Sequence, residues 1–123
     1  MVTLKSFNYA ARGLKMVLSS ERNAKLHLSA AFLALILSII LRIDIQQWLF
    51  IVISIALVFF AEITNTAIEK SLDLISQENN QLIRVIKDMT AAGVLVTAIS
   101  AVIVASIIFI PRIISIITHF VGR

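Results

Sequence analysis

The sequence predicts an all-α integral membrane protein with three transmembrane helices and an N-terminal amphipathic surface helix. Three observations carry this. Of the 123 residues, 59% are apolar and 15% are charged, against roughly 45–50% and 25% in a soluble domain. The few charges are unevenly placed and leave long uncharged runs. Three glycines and one proline leave little material for β-turns or a glycine-rich phosphate loop. The length holds one domain, residues 1–123. The absence of cysteine removes disulfides, thiolate metal sites and cysteine nucleophiles, and two histidines argue against a multi-histidine zinc centre.

The surface helix is expected over about residues 3–22. Leu4, Phe7, Ala11, Leu14 and Leu18 recur at steps of three and four. Lys5, Asn8, Arg12, Lys15 and Ser19 follow the same rhythm on a neighbouring face. Such a helix suits the inner leaflet. Charge recurs through this segment, so no cleavable signal sequence is expected.

Uncharged runs cover 26–41, 45–61 and, longest, 89–111. A membrane-crossing helix needs about 20 mostly apolar residues. The third run suffices alone. The first two suffice if flanking residues extend them and Lys25 and Arg42 snorkel to the interface. The expected spans are therefore about 25–43, 47–67 and 89–110. After Pro111 the chain reads as a short interfacial continuation without chemistry.

Basic residues give the orientation. Five precede the first span (Lys5, Arg12, Lys15, Arg22, Lys25), and three lie between the second and third (Lys70, Arg84, Lys87). Arg42, Arg112 and Arg123 lie on the other side. The positive-inside rule places the N-terminus and the 68–88 connection in the cytoplasm and the C-terminus outside. The net charge of +4 is accounted for by anionic lipid headgroups, so nucleic acid is not an expected partner.

The second span reaches the cytoplasm through Glu62-Ile63-Thr64-Asn65-Thr66-Ala67-Ile68-Glu69 and, further on, Asp73. On a helix, Glu62, Asn65, Glu69 and Asp73 fall within roughly 80° of one another. Glu62 directly follows an uncharged run, so it sits at or just inside the membrane boundary. An ionisable group there is costly and marks a functional site. Partial desolvation makes it a better base near neutral pH. Glu69 lies nearer water and suits a hard cation, most plausibly Mg²⁺. Asn65 can orient a carboxylate or bind substrate. Asp73 reads as a solvated residue on the departing helix end.

Two further clusters lie on the same side. Glu21-Arg22-Asn23 precedes the first span, where Glu21 reads equally as a surface ion-pair partner. Lys87-Asp88 opens the third. Asp88 reads as N-terminal capping and dipole chemistry, while Lys87 is placed to neutralise phosphates. Carboxylates, Mg²⁺ and lysines at a lipid interface on the ATP-containing side fit phosphoryl transfer to a lipid hydroxyl. No P-loop or kinase catalytic-loop signature is present, so any nucleotide site is built from helix side chains.

These residues carry a family resemblance. Phe7-Asn8-Tyr9-Ala10, Arg12-Gly13-Leu14, Glu21-Arg22-Asn23 with His27, the E-x-x-N-[ST]-A-I-E block from Glu62 to Glu69, Asp73 and Lys87-Asp88 together resemble the small membrane-embedded prokaryotic diacylglycerol kinases. Within them, the Glu21-Arg22-Asn23, His27 and Asn65-Thr66 forms look like the undecaprenol kinase branch, which often has an aromatic residue where this chain has Ala24. The resemblance covers about residues 5–110. It implies a homotrimer with a composite site between subunits, in the cell membrane. It implies ATP-dependent phosphorylation of undecaprenol for carrier-lipid recycling in cell-wall synthesis, or of diacylglycerol to phosphatidic acid. It further implies Glu62 as the base, Glu21 and Glu69 as ligands to the nucleotide's Mg²⁺, and Asn65 in support. Lys87 and Asp88 would contact ATP, with Tyr9, Glu78, Asn79 and Asn80 nearby. Arg22, Asn23 and His27 would flank the lipid. A small transporter or channel subunit is the competing class, and clustering of the polar residues at one leaflet disfavours it.

Overall fold

A computed structural model of the chain describes residues 3–76 and 80–123. These form α1 (Leu4–Ser20), α2 (Arg22–Ile40), α3 (Ile45–Ile75) and α4 (Gln81–Val121). Three of them, α2, α3 and α4, are long and apolar enough to cross a membrane, and we read the chain as a multi-pass membrane protein. With no water in the hydrocarbon, each spanning segment must satisfy its backbone internally, which enforces helix even through β-branched stretches.

Thr3 caps α1 by accepting from the Ser6 amide through its side chain. Val17 is the residue of α1 that is buried, and Leu4, Phe7 and Leu14 stay exposed. A single residue, Glu21, joins α1 to α2. Its backbone is extended, it flanks both helices, and its side chain makes no capping bond. Glutamate is a poor N-cap compared with Ser, Thr, Asp or Asn, so its carboxylate is left for other work.

The turn between α2 and α3 is tightly tied. Arg42 adopts φ 50°, a left-handed conformation uncommon outside glycine. Asp44 and Gln47 form a reciprocal capping box at the start of α3. Arg112 reaches across from α4: Nη1 donates to the carbonyls of Leu41 (3.2 Å) and Arg42 (2.8 Å), and Nη2 donates to Gln47 Oε1 (3.2 Å). The apolar core gathers at this same end, around Leu41, Ile43, Ile51, Ile108 and Phe109.

Three of the boundaries that differ from the sequence expectation have a visible cause. The first expected span extended to residue 43, but α2 ends at Ile40 and residues 41–44 form the turn. At the other end of the chain, α4 runs unbroken through Pro111 to Val121. The proline removes one amide donor, a loss that membrane helices tolerate, and Arg112 immediately anchors the helix to the turn. The helix also starts earlier than the expected span. Asn80 caps it by accepting from the Leu82 amide at 2.8 Å, so Asp88 lies two turns inside and is not an N-terminal cap.

Candidate active site

Along α3 the residue pattern changes from apolar to polar at Glu62, and the change happens on one face. Glu62, Asn65 and Thr66 are all buried, with Glu62 and Thr66 each 2% exposed. Spacings of three and four place them on adjoining rows of the helix. Among the described residues, Glu62 Oε2, Asn65 Oδ1 and Thr66 Oγ1 have no hydrogen-bond partner. Leaving a buried polar atom unpaired costs about 1–3 kcal/mol. Three such atoms on successive rows form a buried polar cluster with unused bonding capacity.

The wall opposite is the first turns of α2. His27 Nε2 lies 3.7 Å from Glu62 Oε2, an electrostatic contact beyond hydrogen-bond range. Glu21 and Glu69 also act electrostatically on Glu62. The joint between α1 and α2 therefore brings Glu21 to the same locale as the α3 edge, as the sequence clusters suggested. Ala24, near the start of α2, is fully buried.

The other expected residues have contacts of their own. Lys87 Nζ donates to Asp73 Oδ1 at 2.7 Å, tying α4 to α3. Asp73 was expected to be simply solvated; it is exposed but paired. Arg22, Asn23 and Asp88 are exposed. Tyr9 is also exposed and has the Arg12 guanidinium over its ring, 5.6 Å from the centroid. Asn80 is committed to capping α4, and Glu78 and Asn79 lie outside the described residues. Thr66 carried no assigned role in the sequence reading, although its place four residues after Glu62 signalled a shared face.

Comparison with known proteins gives the family. The model of the prokaryotic diacylglycerol kinase family matches residues 8–109. The chain belongs to this family. Its relatives include an undecaprenol kinase of Bacillus subtilis, 36% identical over 108 residues and covering 88% of each chain. A diacylglycerol kinase of Escherichia coli is 33% identical over 100 residues, covering 81% of this chain and 82% of that protein. A diacylglycerol kinase of Synechocystis is 30% identical over 113 residues, covering 91% of this chain and 65% of that protein. The matched span takes in α2 and α3, which carry the buried polar cluster and His27 of this lipid-kinase family member.

Proposed function

We propose that the chain is an ATP-dependent lipid kinase whose substrate is undecaprenol, with diacylglycerol as the second reading. One observation carries the chemistry: a buried carboxylate, Glu62, whose Oε2 has no hydrogen-bond partner among the described residues, with two further carboxylates within electrostatic reach. Glu62 takes the proton from the lipid hydroxyl. The hydroxyl oxygen forms a bond to the γ-phosphorus of ATP, the bond from that phosphorus to the β–γ bridging oxygen breaks, and ADP leaves with the electron pair.

The donor set fits Mg²⁺. Among the described residues, no group of three or more His, Cys, Asp or Glu is placed to hold an ion unaided. Mg²⁺ in nucleotide enzymes is bound through one or two carboxylates, with substrate phosphates and water completing the shell. Glu21 and Glu69 would supply those carboxylates, and the ion would neutralise charge on the transferring phosphates. Lys87 contacts phosphate from α4, and Asn65 supports the centre. Tyr9, Asn80 and Asp88 line the nucleotide side.

In this reading α1 lies on the inner leaflet, its exposed Leu4, Phe7 and Leu14 in the headgroup region. The N-terminus and polar cluster are cytoplasmic, and the C-terminus is outside. A homotrimer completes each site between subunits. The undecaprenol reading rests on the Bacillus subtilis relative and on the Glu21-Arg22-Asn23 block. The diacylglycerol reading rests on the family and on the other two relatives. A competition assay decides between them, with purified protein in mixed micelles, Mg²⁺, labelled ATP and both lipids present together. Preferential label in undecaprenyl phosphate is the expected outcome. Label in phosphatidic acid alone would reverse the order, and label in neither would refute the kinase reading.

A further inference from the structure

Hydroxyl side chains inside helices commonly return their proton to a carbonyl one turn back. This chain does so at Ser38, Ser71, Thr97, Ser100 and Ser106, at 2.7–2.8 Å. Thr66 does not. Its Oγ1 is buried and has no partner among the described residues, in a residue only 2% exposed. A hydroxyl that forgoes the local carbonyl in a dry setting is paired only when another acceptor arrives.

The helix fixes the level of that acceptor. Thr66 stands roughly 6 Å along α3 from Glu62 and about 4.5 Å short of Glu69, at 1.5 Å per residue. If the lipid hydroxyl meets Glu62 and the metal-bound phosphates meet Glu69, the phosphoryl group in transit passes beside Thr66. Its non-bridging oxygens are strong acceptors whose charge must be stabilised during transfer. We infer that Thr66 is a further catalytic residue, donating its hydroxyl proton in a hydrogen bond to a non-bridging oxygen of the transferring phosphoryl group. This rests on the lipid-kinase reading above. The proton stays on Thr66 throughout, and Glu62 alone accepts the proton from the lipid.

The test compares wild type, Thr66→Val, Thr66→Ser and Glu62→Gln as full-length protein reconstituted in lipid. Valine keeps the shape and removes the donor. Its kcat should fall about 100-fold, the scale of losing one transition-state donor, while KM for ATP and lipid change little. Serine keeps the donor and should hold most of the activity. The thermal midpoint of Thr66→Val should equal or exceed that of wild type, because an unsatisfied buried hydroxyl has been removed. A second readout does not depend on turnover. MgADP with aluminium fluoride, a planar mimic of the phosphoryl group, should raise the wild-type midpoint beyond MgADP alone. That increment should vanish in Thr66→Val and persist in Thr66→Ser.

Wild-type kcat in Thr66→Val, equal losses in valine and serine, or loss only in step with a lowered midpoint would each overturn the inference. If wild type labels neither lipid, the kinase reading itself fails. If wild type is active and Glu62→Gln is not, while Thr66→Val turns over normally, only the role of Thr66 fails.

Discussion

Lys87 is held by a bond weak enough to exchange. Its ion pair with Asp73 is short, but the two side chains are 35% and 57% exposed, and pairs of this kind contribute about 0.2–1 kcal/mol. An arriving phosphate, with more charge than one carboxylate, takes Lys87 from Asp73 at little cost. Replacing Asp73 with Asn removes a negative charge from the nucleotide's path. KM for ATP should then fall about two- to fivefold at low ionic strength, and the difference should shrink in high salt. Kinetics at two salt concentrations check this, and a raised KM would show instead that Asp73 positions Lys87. At this scale the sequence was legible where neighbours share a helix face, as Glu62, Asn65 and Glu69 do. It was not legible for Asp73 and Lys87, which lie 14 residues apart on different helices and meet through packing alone. Thr66 escaped because threonine also serves as an ordinary spacer, and its missing hydrogen bond is visible only in three dimensions.

The elements divide the work between the two ends of the molecule. At the end away from Glu62, Arg112 satisfies the carbonyls of Leu41 and Arg42 while the apolar core fills in behind. Arg112→Met should cost about 1–3 kcal/mol, since it strips donors from a turn containing a left-handed residue. Thermal unfolding in a fixed detergent measures the loss, and amide exchange should rise first at residues 41–44. An unchanged midpoint would mean that the capping box of Asp44 and Gln47 suffices to hold the turn. The existence of the helices was plain from the uncharged runs, because the membrane admits few other structures. Their limits were less plain. Pro111 reads as a stop, and Lys87-Asp88 reads as a start, until Arg112 and Asn80 are seen extending and capping α4.

The whole molecule turns a large apolar surface outward, including Phe32, Leu33, Phe50, Phe60 and Val96. In a membrane, lipid tails cover such residues, and in the proposed trimer neighbouring copies would cover part of them. In the proposed trimer, a second copy encloses the nucleotide side, where Tyr9 and Asp88 stand exposed in one chain. Chemical cross-linking in native membranes should therefore trap trimers, and dilution to monomers in detergent should abolish turnover. A fully active monomer would contradict the composite site. The clamped turn also has a geometric consequence. Helices α2 and α3 are joined like tongs at this turn, and Glu62 and His27 face each other well along the arms. The arm from the turn to Glu62 is roughly 25 Å long, so a tilt of about 2° displaces Glu62 by nearly 1 Å. Misplacement of about 1 Å can cost a hundredfold in rate. Angular precision at Arg112 is thus a condition for distance precision at Glu62, with no chain of contacts needed to connect them.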